Sequence, residues 1–158
     1  MFPKAEARPA SPQGRNANTA GRVLESRVES LLKDCGYAHK DDAAGQAFYI
    51  PQYRRFKSIY GTDLRVDFYV WHPTKYPNGL VIECKSQESP GSVDEKYPYA
   101  LLNLKGTECA AILIVEGNGP KAGAIDWCRR QENDQNAWFR FFHGFLSFQK
   151  EVNKKGLL

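Results

Sequence analysis

The run Cys109–Val115 (Cys-Ala-Ala-Ile-Leu-Ile-Val) carries no polar side chain. A strand with one wet face alternates apolar and polar residues, so a continuous apolar run is predicted to be a strand buried on both faces. The flanking sequence supplies helices to cover it. Val23, Leu24, Val28, Leu31 and Leu32 recur at helical spacing and Gly36 follows as a C-cap, predicting an amphipathic helix over 21–35. Further helices are expected from Ala122 to about Gln135 and from Phe145 to Asn153, with a short strand over 138–143 between them.

Between the first helix and the apolar run the period switches towards two. Ala47–Tyr53 reads as a strand. Ser58–Tyr60, the Gly61-Thr62-Asp63 turn and Leu64–Trp71 read as a hairpin, with Val66, Phe68 and Val70 on one face and Asp67, Tyr69 and Trp71 on the other. A turn-rich loop is expected over 72–79. A strand over 80–87 follows, with Leu80, Ile82 and Cys84 on one face and Val81, Glu83 and Lys85 on the other. Ser92-Val93-Asp94-Glu95 has the form of a capping box. Pro98 then requires that the next helix either restart there or kink. The order is helix, three strands, helix, strand, helix and a short tail, which defines an α/β domain with one mixed sheet flanked by helices. The 158 residues suit one domain on a prior of about 100–200 residues each. Residues 1–20, rich in Ala, Pro, Gly, Asn and Ser, are expected to be a flexible arm, and 21–158 the single domain.

The chemistry concentrates on two neighbouring strands. Glu83 and Lys85 lie two apart and share a face, on a strand that opens with Leu80-Val81-Ile82 and looks central rather than exposed. Asp67 projects from the preceding strand. If Asp67 and Glu83 are neighbours, two like charges converge, which is costly unless a cation lies between them. The ammonium of Lys85 offsets part of that cost and can position or activate a water. Glu25, on the first helix, can add a third carboxylate, and the Cys84 carbonyl is a further candidate ligand. Hydrolysis of a phosphodiester needs such a set: Mg²⁺ takes oxygen ligands from one or two carboxylates plus phosphate, and it neutralises developing charge and activates water.

At this point the residues resemble the PD-(D/E)xK nuclease superfamily, the restriction-endonuclease-like fold. Its αβββαβ core matches the order above. Its motif is an Asp closing the second core strand and (Asp/Glu)-x-Lys in the third, here Asp67 in Arg65-Val66-Asp67-Phe68 and Glu83-Cys84-Lys85. Val66 stands where many members have Pro. Gly21-x-x-x-Glu25 is similar to the acidic position of the family's first helix, and Gln87 to members in which a Gln extends the motif. The stretch from Gly91 to Tyr99 is similar to one seen in phage and restriction-type members. The resemblance implies a metal-dependent phosphodiesterase leaving 5′-phosphate and 3′-hydroxyl ends. Asp67, Glu83, Cys84 and Glu25 would be metal ligands for Mg²⁺ (or Mn²⁺), Lys85 would orient the water, and Gln87 would position metal or phosphate.

The net charge of +4 and pI of about 8.9 fit a nucleic-acid partner without requiring one. Arg54, Arg55, Arg65 and Lys96 are the candidate DNA contacts, and Arg8, Arg15 and Arg22 lie in or beside the arm. Cys35, Cys84, Cys109 and Cys128 show no Cys-x-x-Cys or His-x-x-x-His spacing, so zinc-finger chemistry is not expected. A reduced, intracellular and cytoplasmic setting is expected, with no signal peptide and no membrane span. Gly117-Asn118-Gly119 lacks the Lys-Ser/Thr ending of a phosphate loop and is read as a turn. Three functions remain open: an endonuclease on duplex DNA acting as a homodimer, a structure-selective nuclease of the junction-resolving or repair kind, and a DNA-binding module that has lost catalysis.

Overall fold

A computed structural model describes residues 12–158, and the side chains of 19–91 and 94–158. The chain folds as α1 (Pro12–Asp34), β1 (Ala38–His39), β2 (Phe48–Lys57), β3 (Asp63–His72), β4 (Tyr76–Ser86), α2 (Lys96–Gly106), β5 (Ala110–Glu116), α3 (Ala122–Gln131), β6 (Phe139–His143) and α4 (Phe145–Lys155). One six-stranded sheet runs in the order β1-β2-β3-β4-β5-β6. β2, β3 and β4 form an antiparallel meander, while β5 and β6 continue parallel to β4. β5 is buried along its centre as its apolar run requires, with α1 and α4 covering one face and α2 and α3 the other. This is a restriction-endonuclease-like α/β arrangement.

On α1, Leu24, Val28, Leu31 and Leu32 face the sheet, at the spacing of one helical stripe. Val23, included in that stripe on sequence grounds, is half exposed, because it lies about 100° around the helix from Leu24. The helix starts at Pro12, nine residues before the expected Gly21, with proline in the first turn, where its missing N–H costs no hydrogen bond. The expected arm therefore coincides over 12–20 with helix, and over 1–11 it lies outside the described residues.

Two strands are longer than expected. β2 runs on to Lys57, so that residues 58–62 form the turn itself, closed by Ser58 N–H donating to the Thr62 carbonyl. β4 begins at Tyr76 inside the expected loop. The reason lies in Gly79, which has φ +93° and lies under the Tyr69 ring. A Cβ there would come within 2.6 Å of that ring. A glycine read as a turn signal is here a strand residue covered by an aromatic. A short 3-10 turn over Ser92–Glu95 precedes α2, so the helix does restart, at Lys96 rather than at Pro98, which falls in its first turn where proline is tolerated.

The side-chain alternation of β3 breaks at Asp67, against the expected pattern. Phe68 and Val70 lie in the core beneath α1, whereas Val66 lies in the opposite core with Val81, Tyr97 and Leu104. β2 switches in parallel: Tyr49 belongs to the first core and Tyr53 packs on the second. The register Pro51↔Phe68 and Tyr53↔Val66 sets Gln52 opposite Asp67. Gln52 has φ +52°, a left-handed conformation unusual for a residue with a side chain. Both strands thus change faces at the Gln52/Asp67 pair, and a β-bulge between Tyr53 and Phe56 follows immediately.

Candidate active site

Paired residues of β3 and β4 end at Phe68↔Ile82, and beyond that point side chains replace the backbone ladder. The Cys84 N–H donates to Asp67 Oδ2 at 2.7 Å, and the Asp67 N–H donates to Glu83 Oε2 at 3.3 Å. Reaching across to a neighbouring strand is possible because Asp67 stands where the alternation breaks. Its carboxyl is buried, with 5% exposure. Burial first, and then the adjacent Glu83 carboxylate, push its pKa up to about 7, against the opposing pull of the Cys84 N–H and of Lys85.

Glu83 and Lys85 share a face of β4 as expected, and the Lys85 ammonium is ion-paired to Glu83 Oε1. Burial works to lower the Lys85 pKa, but the Glu83 carboxylate overrides it and holds the amine above its usual value. Lys85 is therefore a firm cation at neutral pH, suited to orient a water or steady an anion rather than to take a proton. Glu25 projects from α1 into the same electrostatic field. Its carboxyl is raised by desolvation and by Glu83, and lowered by Arg65 and Lys85.

The Cys84 side chain points into the core, where burial pushes its thiol well above its usual range, so a ligand from this residue would be its carbonyl. Gln87 is buried and engaged at both ends of its amide. The Tyr97 hydroxyl donates to Oε1 at 2.7 Å, and Nε2 donates to the Ser89 carbonyl at 3.3 Å. The Gly117–Gly119 turn lies against it, and a Cβ at Gly117 would come within 2.2 Å of the Gln87 carbonyl oxygen. As placed, Gln87 braces the β4–α2 connection.

A groove of about 450 Å³ opens between the ends of β3 and β4 and the helix α2, with Glu83, Lys85, Arg65 and Lys96 among its lining. Arg65 and Lys96 are thus brought to the site, whereas Arg54 and Arg55 are exposed on the β2 bulge away from the groove lining. One residue escaped the sequence reading. Gln52 Nε2 donates to Glu25 Oε2 at 2.9 Å, tying the helix carboxylate to the strand position opposite Asp67. No sequence signal marks a glutamine in left-handed conformation. Only the broken alternation around Pro51 hints that the strand is irregular there.

Among the described residues, no three His, Cys, Asp or Glu side chains stand close enough to hold a metal ion as a set. What the site offers is a smaller donor set of hard carboxylate oxygens, with one buried carboxyl whose electrostatic penalty the Cys84 N–H and Lys85 offset only in part.

A mixed sheet whose central strands part around two carboxylates and an ammonium, flanked by helices on both faces, defines a restriction-endonuclease-like domain. The chain belongs to the PD-(D/E)XK nuclease superfamily, whose domain profile matches residues 16–149. Neither the curated proteins nor the solved structures yield a match. Membership makes nuclease activity on a nucleic-acid substrate the class-level assignment, in a superfamily whose members typically use divalent metals. Among the described residues no helix is long and apolar enough to cross a membrane.

Proposed function

We propose that the protein is a divalent-metal-dependent endodeoxyribonuclease that hydrolyses DNA to 5′-phosphate and 3′-hydroxyl ends, with Asp67, Glu83 and Lys85 at its centre. The observation that carries this reading is the Asp67 carboxyl, buried beside a second carboxylate and raised to about 7. Such an arrangement is unfavourable for the fold alone, and a divalent cation relieves it.

Asp67 and Glu83 would hold Mg²⁺ (Mn²⁺ in its place), with Glu25 and the Cys84 carbonyl as further oxygen donors. The modest donor set suits Mg²⁺, which keeps several waters and uses one or two carboxylates together with substrate phosphate. When bound, the ion neutralises charge on the phosphate and eases deprotonation of water. Lys85, fixed as an ammonium by Glu83, orients the attacking water or the phosphate oxygen. Gln52 holds Glu25 in place, and Gln87, through Tyr97, keeps β4 and α2 at a set separation. Arg65 and Lys96 contact phosphates at the mouth of the groove, and Arg54 and Arg55 extend that contact along the duplex. One such site cuts one strand, so cutting both requires two copies, and a homodimer is the arrangement we assign.

The test is incubation with plasmid, linear duplex, single-stranded and branched DNA in Mg²⁺, Mn²⁺ or EDTA, beside Lys85→Ala. Metal-dependent cutting of at least one substrate is expected, and Lys85→Ala should lower it by roughly 10²–10⁴-fold while DNA binding persists. If every substrate stays intact in both metals, the protein is a binding module of the same fold and the catalytic reading is wrong.

A further inference from the structure

The groove beside Glu83 and Lys85 is lined by two unlike sets of side chains. The charged set is Glu83, Lys85, Arg65 and Lys96. The other set is Leu64 and Val66 of β3 with Tyr99, Ala100, Asn103 and Leu104 of α2, which together with Lys96 keep the i, i+3, i+4 spacing of a single helix face. Its rim is aromatic. The Tyr99 ring is 38% exposed and stacks on Tyr60, itself 75% exposed, with centroids 5.7 Å apart and planes at 24°. Tyr60 sits at the tip of the β2–β3 turn, and that tip is fixed against α2 by the Ile59 N–H donating to Asn103 Oδ1 at 2.9 Å. The rim is therefore held in place by a buried asparagine and is no loose loop.

A phosphate backbone has no use for an apolar wall and an aromatic rim, and a base inside an intact duplex cannot reach them, because its faces are covered by its neighbours. An unpaired base can, since it presents a flat apolar face for stacking while its phosphates remain beside the cations. We propose that this groove takes an unstacked nucleobase of a DNA strand, held against Tyr99 and Tyr60, next to the phosphate to be cut. The substrate class is then DNA with unpaired nucleotides at the cleavage point, as in flaps, gaps or branch points, whose flanking duplex carries the phosphates that Arg54 and Arg55 contact. The proposal rests on the nuclease reading of Glu83 and Lys85 and adds the form of DNA that the site accepts.

The test measures binding, not cutting, by fluorescence anisotropy of the full chain in EDTA. Three labelled probes are compared: an oligo(dT) strand, the same strand with abasic sites replacing its bases, and a duplex of equal length. The wild type should bind oligo(dT) more tightly than the abasic strand. Tyr60→Ala combined with Tyr99→Ala should weaken oligo(dT) about tenfold, within the range for one base stacked on an aromatic ring. Binding of the abasic strand and the duplex should change less than about twofold, because phosphate contacts are untouched. Tyr99→Phe keeps the ring and should bind like the wild type. Equal wild-type affinity for oligo(dT) and the abasic strand overturns the proposal and leaves the nuclease reading standing. So does a uniform loss on all three probes, or a change of oligomeric state in sedimentation, which would make the tyrosines a protein contact. Absence of binding to all three probes overturns the nuclease reading as well.

Discussion

Asp67→Asn should make the metal-free protein more stable while removing its activity. The Asp67 carboxyl sits buried beside Glu83 with its pKa pushed from an ordinary 3.8 up to about 7. The folded state therefore keeps a proton that the unfolded chain has released between about pH 4 and 7, and stability falls as pH rises through that window. Above it the full cost applies, on the order of 4 kcal/mol for this displacement. Asparagine keeps an acceptor for the Cys84 N–H and removes the charge, but its amide must find a partner, so about half of that figure should be recovered. A gain of about 2 kcal/mol corresponds to a rise in Tm of about 4–8 °C for a chain of this length. The assay is thermal unfolding by circular dichroism in EDTA at about pH 8 and about pH 5. The variant should melt higher at the alkaline pH and together with the wild type at the acid one, where Asp67 is protonated anyway. A variant less stable than wild type at the higher pH, or a gain of equal size at both, would refute the electrostatic reasoning.

Other outcomes follow from the same geometry. Gln52→Ala and Gln52→Gly should lower metal-dependent cutting alike, since both lose the donor to Glu25. Glycine should nevertheless be the more stable of the two by about 1 kcal/mol, because φ +52° strains any residue with a Cβ; equal chemical denaturation midpoints would argue against that strain. Tyr97→Phe removes the donor to the buried Gln87 and should cost about 1–3 kcal/mol in urea unfolding. If it costs nothing, Gln87 is not the brace described here. Glu83→Gln should release Lys85 from its ion pair and lower the amine's pKa, read by NMR of the labelled ammonium. An unchanged titration would remove Glu83 as the cause.

The path from sequence to site was legible where periodicity and chemistry agree. The apolar run ending at Val115 marks a doubly covered strand, and Glu83-x-Lys85 marks one face of a largely apolar strand, where the two side chains form an ion pair. Residue type and order single out Asp67, but they do not show why it reaches β4. A period-two reading assumes that alternation continues through position 67, whereas Gln52 and Asp67 switch faces together, an event set by one left-handed backbone angle on the partner strand. Gly79 departs from the expected loop for a related reason: glycine signals both turns and the close passage of an aromatic ring, and only the Tyr69 contact separates the two. The early start of α1 at Pro12 lacks an apolar stripe to announce it. The Tyr60–Tyr99 rim depends on the hairpin tip meeting α2, a contact between residues far apart in the chain.

The account depends above all on Asp67 and Glu83 sharing a divalent ion. A crystal soaked in Mn²⁺ and measured for anomalous scattering tests this directly. A single strong peak about 2.1 Å from oxygens of both carboxylates is expected, absent in Asp67→Asn and retained in Lys85→Ala. A peak held by other residues, or no peak beside a buried Asp67 under saturating Mn²⁺, would contradict it.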